Sequence, residues 1–157
     1  MRVLFRALLC ALPLLAVGCG DASGPNDPDL RKVAFAPALG VDIASMTRVG
    51  DGVYVKDLTV GTGADVNPNK VISVRYQGWL ADGTRFDHNL DPRAPFQLVL
   101  SQGRVIAGWT QGIPGMKVGG KRLLVIPPSL GYGDRPNGPI PANSVLVFEV
   151  EVISQSS

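Results

Sequence analysis

The sequence contains very few residues of the kinds that perform covalent or metal chemistry. It has one histidine, His88, and two cysteines among 157 residues. Zinc sites use clustered histidine and cysteine ligands, so a site of that kind is excluded. A Ser-His-Asp triad would have to use His88, and the Gly-x-Ser-x-Gly pattern of many hydrolases is absent. We therefore expect neither a catalytic nucleophile nor a metal.

Charge is also scarce in this sequence. Charged residues make up 18% of the chain, and the formal net charge is +2. Arg2 and Arg6 lie in a segment that we expect to be removed, which lowers the 15 basic residues to 13, equal to the 13 acidic ones. A net charge near zero gives no electrostatic basis for binding nucleic acid, and none is expected as a partner.

The N-terminus predicts export. Its apolar run, from Ala7 to Val17, is far shorter than the ~20 residues needed to span a bilayer and is typical of a signal peptide. The sequence Leu15-Ala16-Val17-Gly18-Cys19 resembles a bacterial lipoprotein cleavage site. We therefore predict a signal peptide at residues 1–18 and a lipid anchor at Cys19. An ordinary signal peptide with a coincidental cysteine is the alternative.

Residues 19–49 predict a tether between that anchor and a folded domain. Gly24, Pro25 and Pro28 break any periodicity, which favours a loosely ordered spacer. In the alternative interpretation, two small apolar patches, at residues 33–35 and 39–41, dock on the domain or on a partner. Gly20 follows Cys19, where lipoproteins retained in the inner membrane usually carry aspartate, so we expect an outer-membrane location facing the periplasm.

Residues 50–155 predict one α+β domain. Apolar and polar residues alternate in the two longest strand candidates, Val71 to Leu80 and Val145 to Ile153, and Asp82-Gly83 is a strong hairpin signal. Shorter strands are predicted at Val53 to Leu58, Phe96 to Leu100 and Leu123 to Ile126. This pattern predicts an antiparallel sheet of about five strands around one short α-helix.

The predicted helix is weak. Ile106, Trp109 and Ile113 share one of its faces, but Gly108 and Gly112 each cost ~1 kcal/mol against alanine. We expect such a helix to form only because a sheet packs on it.

Aromatic residues supply the positive evidence for a site. For any single aromatic residue, core packing is the simpler interpretation. Tyr132, however, lies between Gly131 and Gly133 on a proline-rich loop, where no strand periodicity accounts for it. Together with Tyr76, Trp109 and the other aromatics, it favours a concave apolar pocket with one hydroxyl at its rim.

Residues from about Gly52 to Ile153 resemble the FKBP-type peptidyl-prolyl cis-trans isomerases. The resemblance rests on motifs that occur in family order with near-family spacing. They are Val74-x-Tyr76-x-Gly78-x-Leu80, Asp82-Gly83-x-x-Phe86-Asp87, Pro95-Phe96, Val105-Ile106-x-Gly108-Trp109, Gly131-Tyr132-Gly133 and Leu146-Val147-Phe148.

This resemblance implies an FKBP-like fold and an enzyme that rotates X-Pro peptide bonds without a cofactor. The implied catalytic groups are Asp87, the Tyr132 hydroxyl and the backbone N–H of Ile106. The implied substrate-binding residues are Tyr76, Phe86, Phe96, Val105, Trp109, Ile140 and Phe148. The implied partners are proline-containing polypeptides and macrolide inhibitors, and we expect a monomer that assists the folding of exported proteins.

Two departures from the family pattern affect the rim of the implied pocket. Arg104 stands where small family members carry an acid, and the loop at residues 134–139 is about one residue shorter than theirs. These changes bear on substrate preference and macrolide affinity. A module that holds proline-containing segments without isomerising them remains the alternative function.

Overall fold

The structure is a computed structural model, and it describes residues 27–156. The predicted signal peptide and Cys19 lie outside the described residues. Within residues 27–156, no helix has the length and apolar character needed to cross a bilayer.

A seven-stranded antiparallel sheet forms the framework, in the order β1-β2-β6-β7-β3-β4, with β5 also paired to β3. The strands are β1 Thr47–Val49, β2 Val53–Thr59, β3 Ile72–Leu80, β4 Arg85–Asn89, β5 Phe96–Leu98, β6 Lys121–Ile126 and β7 Leu146–Gln155. The helix α1 spans Ala107–Gly112. Short 3-10 helices lie at Leu30–Lys32, Pro37–Leu39, Ile43–Ser45, Leu100–Gln102 and Pro128–Leu130.

The predicted α+β class is confirmed, and residues 27–156 contain the predicted single short α-helix. The sheet has two strands more than the expected number. One is β4, which is the return strand of the hairpin that Asp82-Gly83 predicts and pairs with β3. The other is β1, which pairs with β2 and belongs to the segment assigned to the tether.

The inner face of the sheet packs on α1 and forms the main core. Alternating residues of the long strands, such as Val74 and Val150, are fully buried there together with Ile113. The two helix glycines permit this packing at close range. A Cβ at Gly108 would overlap the side chain of Ile126, and one at Gly112 would overlap that of Leu124.

The outer face is covered by residues 27–49, here called the N-terminal strap. Its side chains Leu30, Ile43 and Met46 are buried in a second apolar cluster. The sheet contributes Tyr54, Leu123, Val125, Val145 and Val147 to this cluster. For residues 27–49 the packing corrects the interpretation as a loosely ordered spacer and agrees with the alternative, in which the apolar patches at residues 33–35 and 39–41 dock on the domain. Its physical cause is that the end of β6, residues 123–126, and the start of β7, residues 146–148, are apolar on both faces, so this part of the outer face also has to be removed from water.

We predict that the strap contributes to global stability. Leu30 is 5% exposed and Leu90 is 44% exposed, so Leu30→Ala removes buried apolar contacts that Leu90→Ala does not. Leu30→Ala should lower the free energy of unfolding by ~2–3 kcal/mol, near the low end for buried leucines. Urea denaturation of the two variants measures the difference. Equal losses for Leu30→Ala and Leu90→Ala would mean that the strap adds nothing.

Candidate active site

One cavity of about 370 Å³ opens between the inner face of the sheet, the start of α1 and the turn that carries Tyr132. Most of its lining is aromatic or aliphatic. The lining residues are Tyr76, Asp87, Phe96, Gly103, Arg104, Val105, Ile106, Trp109, Tyr132 and Phe148.

Trp109 forms the apolar base of this cavity and is only 4% exposed. Tyr76 from β3 and Phe148 from β7 pack edge-on against its ring, with centroid distances of 5.1 and 5.4 Å. Phe96 from β5 approaches the same ring at 6.3 Å. Edge-to-face contacts at such distances are favourable for aromatic rings. The indole is therefore held from several sides by strands of one sheet.

A buried arginine fixes the end of the helix that carries Trp109. Arg122 is 7% exposed, and its Nη1 donates to the carbonyl oxygens of Gly112, at 2.9 Å, and Pro114, at 3.1 Å. Its Nε and Nη2 donate to the two carboxylate oxygens of Asp57, at 2.6 and 3.0 Å. The guanidinium thus satisfies carbonyls that a helix end leaves unpaired, and the carboxylate balances its charge. Sequence reasoning did not identify this pair.

The cavity contains one carboxylate, that of Asp87 on β4. The Tyr76 hydroxyl donates to Asp87 Oδ2 at 2.8 Å, and the backbone N–H of His88 donates to Oδ1 at 2.8 Å. Burial, followed by the hydrogen bond to Asp87 and its charge, raises the pKa of Tyr76 well above its usual value. The Tyr76 phenol therefore stays protonated and holds the carboxylate in place.

Tyr132 places a second hydroxyl at the rim, where the residue is 37% exposed. It follows the 3-10 turn Pro128–Leu130, and Gly133 then takes a left-handed φ of 69°. The pKa of Tyr132 is raised, first by burial and then by the negative charge of Asp87. The phenol is therefore a hydrogen-bond donor throughout the physiological pH range.

The backbone of Ile106 supplies a third polar group. Ile106 is the N-cap of α1, and its carbonyl oxygen accepts from the N–H of Trp109 at 3.0 Å. Within residues 27–156, no protein group accepts a hydrogen bond from the Ile106 N–H. Since the residue lines the cavity, this donor is available to a bound molecule.

The structure brings most of the predicted site residues together, with two exceptions. Phe86 packs edge-on against Phe148 at 5.4 Å and is not part of the lining. Ile140 is 4% exposed and belongs to the main core. Conversely, Gly103 lines the cavity but was not predicted, and Arg104 was noted only as a departure at the rim. The available signal in the sequence for Gly103 was that the residue is a glycine, which suits its left-handed φ of 62°.

A family model described as FKBP-type peptidyl-prolyl cis-trans isomerase matches residues 63–153. This chain belongs to that family. An FK506-binding protein of Neisseria meningitidis serogroup B is 47% identical over 103 residues, covering 65% of this chain and 94% of the relative. FK506-binding protein 2 of Dictyostelium discoideum is 49% identical over 154 residues, covering 98% of each chain.

Comparison with a solved structure supports the same family as the sequence matches. The crystal structure of a peptidyl-prolyl cis-trans isomerase from Pseudomonas syringae pv. tomato is 37% identical, with a TM-score of 0.64. The match covers 71% of this chain and 81% of that one. This isomerase therefore has the FKBP fold, and its activity is rotation about the peptide bond that precedes proline.

The charge of Asp87 should be visible in the tyrosine titration of this isomerase. Because a negative charge raises the pKa of both Tyr76 and Tyr132, Asp87→Asn should move these two titrations to lower pH. Ultraviolet absorbance against pH measures the shift. Asp82→Asn, in the exposed hairpin turn, is the matched control and should leave both titrations in place.

The same pKa shifts predict how stability depends on pH. Folding raises both pKa values, so the stability contributed by the neutral phenols is complete below the ordinary tyrosine pKa of 10.0 and is lost as the pH rises through the higher pKa values of the folded state. Asp87→Asn should reduce this contribution. Titrations that do not respond to Asp87→Asn would contradict the arrangement described.

Proposed function

We propose that the aromatic cavity is the active site of this isomerase, and that a substrate proline ring rests on Trp109. The observation that carries the proposal is the combination of a ring-lined base with three hydrogen-bonding groups, from Asp87, Tyr132 and the N–H of Ile106. A site of this kind binds an apolar ring and orients the imide next to it. Covalent chemistry is not needed to rotate a bond.

The cavity lowers the barrier by discriminating against the planar imide. Amide resonance opposes rotation of a peptide bond by ~18–20 kcal/mol. Water favours the charge-separated resonance form of the planar imide, and that separation is lost in the twisted state. Enclosure by Tyr76, Phe96, Trp109 and Phe148 removes water from the imide, and complementarity to the twisted form adds to this effect. Each ~1.4 kcal/mol of such preference gives about tenfold in rate.

The polar groups have separate roles in this proposal. The N–H of Ile106 and the hydroxyl of Tyr132 donate to substrate carbonyl oxygens. Asp87 orients the site through its hydrogen bond from Tyr76, and its charge helps to keep the Tyr132 phenol protonated. Phe86 supports Phe148 from outside the cavity, and Ile140 supports the wall from the core.

Macrolide binding at the same cavity is also proposed. It is supported by the names of the relatives, which are FK506-binding proteins. Arg104 lies in the lining and adds a positive charge where an acid was expected from the family pattern. We therefore propose that macrolides compete with the substrate, with an affinity altered by this rim.

We further propose that the enzyme is a monomer that acts in the bacterial cell envelope, anchored by lipid at Cys19 and facing the periplasm from the outer membrane. The basis is the signal-peptide pattern of residues 1–18 and the lipoprotein-like sequence before Cys19. Its substrates are then exported polypeptides. Uncatalysed X-Pro isomerisation takes tens to hundreds of seconds, which is slow enough to limit their folding.

The role of Tyr132 is tested by isomerisation of an X-Pro peptide. Tyr132→Phe should lower kcat/KM by about tenfold, because the variant loses one hydrogen bond to the reacting imide, worth ~1.5 kcal/mol. Tyr54→Phe is the matched control, since Tyr54 packs in the second apolar cluster behind the sheet. Binding of the peptide without acceleration by the wild-type protein would instead support a module that only holds proline-containing segments.

The anchor is tested by metabolic labelling with radioactive palmitate in a bacterial host. The wild-type chain should become labelled and fractionate with the outer membrane, whereas Cys19→Ala should lose both label and membrane association. Label retained in Cys19→Ala would contradict the anchor, and a wild-type chain released without label would point to an ordinary signal peptide.

A further inference from the structure

The N-terminal strap contacts the segments that lead to two of the three polar groups of the cavity, Tyr132 and Asp87. At its start, the carboxylate of Asp27 accepts hydrogen bonds from the backbone N–H of Ser129, at 2.9 Å, and from the Ser129 hydroxyl. Further along, the N–H of Ala36 donates to the carbonyl oxygen of Ala81 at 2.8 Å. Ser129 precedes Tyr132, and Ala81 precedes β4 with Asp87.

The first contact acts on the turn that positions Tyr132. Ser129 is the middle residue of the 3-10 turn Pro128–Leu130. The carbonyl oxygen of Pro128 accepts from the N–H of Gly131 at 3.0 Å and from that of Gly133 at 2.9 Å. Tyr132 lies between these two glycines, so any movement of the turn displaces its hydroxyl. Ser129 itself is exposed and does not line the cavity.

The second contact acts on the β3–β4 hairpin. The turn closes through the N–H of Gly83 to Leu80 O, at 3.0 Å, and the N–H of Leu80 to Thr84 O, at 2.9 Å. The strap residue Ala36 lies very near this turn, because a Cβ added to Gly83 would be only 3.0 Å from the Cβ of Ala36. The strap thus packs directly on the turn that leads to Asp87.

Burial makes the strap firm enough to link these contacts. Leu30 follows Asp27 closely and is 5% exposed, and Ile43 and Met46 are each 8% exposed. Because Leu30 is anchored in the second apolar cluster only three residues after Asp27, Asp27 has little freedom to follow a moving turn. A carboxylate that accepts two hydrogen bonds from one residue also fixes that residue in orientation as well as position.

We propose that Asp27 is a positioning residue of the isomerase, which holds the turn Pro128–Leu130 through Ser129 and thereby sets the Tyr132 hydroxyl over the cavity. The inference rests on the proposed role of Tyr132. It makes the N-terminal strap a working part of the active site, although no strap residue lines the cavity. Its effect is exerted across a separation of 102 residues in sequence.

The test compares Asp27→Ala with Asp42→Ala in the full chain. Asp42 is the matched control because its carboxylate also accepts one backbone N–H in the strap, that of Ala44 at 3.2 Å, at a different 3-10 turn. Asp27→Ala should lower kcat/KM for an X-Pro peptide by about fivefold, a typical size for a change that acts through an intervening element. Asp42→Ala should leave kcat/KM unchanged.

Amide hydrogen exchange distinguishes a local effect on the turn from a general loss of stability, because a general loss would not speed exchange selectively at the turn. Asp27→Ala should speed exchange at Gly131 and Gly133 relative to Asp42→Ala, since both amides are bonded within the turn. Ser129→Ala should give a smaller loss of activity. Its effect should not add to that of Asp27→Ala, because the two side chains form one interaction.

Exchange rates at Gly131 and Gly133 that are the same in Asp27→Ala and Asp42→Ala would overturn the inference, as would equal activities of these two variants while Tyr132→Phe is impaired. Failure of the proposed role of Tyr132 has a different signature. Tyr132→Phe would then keep full activity, while the exchange difference between Asp27→Ala and Asp42→Ala would still establish that Asp27 positions the turn.

Discussion

The close contact between a six-residue helix and the sheet is the constraint on which this molecule depends. Gly108 and Gly112 weaken α1 by propensity, but a side chain at either position would collide with Ile126 or Leu124. The helix therefore gains from packing what it lacks in local preference. Because α1 packs so close to the sheet, the ring of Trp109 contacts the rings of Tyr76 and Phe148 on neighbouring strands. A stronger helix without these glycines would stand too far from the sheet to form the same floor.

Much of the fold was predictable because the strands and turns have local sequence signals, such as alternation of apolar and polar residues. Alternation identified β3 and β7, and the Asp82-Gly83 dipeptide identified the hairpin between β3 and β4. The cover of the outer face was raised only as an alternative, through the apolar patches at residues 33–35 and 39–41, and the reason is physical. Val125 and Val147 look like ordinary strand residues when each strand is considered alone, and only their pairing across β6 and β7 shows a continuous apolar face that needs a cover.

The site was predictable to the extent that single residues carry a signature. Trp109 on a weak helix and Tyr132 between glycines could be singled out, and the family resemblance supplied the rest of the ring set. Contacts between distant segments had no such signature. The bond from Ser129 to Asp27 and those from Arg122 to the end of α1 join groups that become neighbours only after folding. A serine or an arginine in the sequence does not indicate which distant group it will bond to.

The second apolar cluster has a consequence for where the autonomously folding unit begins. A fragment starting at residue 50, the boundary that composition suggests, would lack β1 and the side chains of Leu30, Ile43 and Met46. Tyr54, Val125 and Val147 would then form a contiguous apolar patch facing water, and such patches promote self-association. The shortest soluble version of this enzyme therefore has to include Leu30, which lies 33 residues before the family match begins at residue 63, because it needs the strap to avoid aggregation.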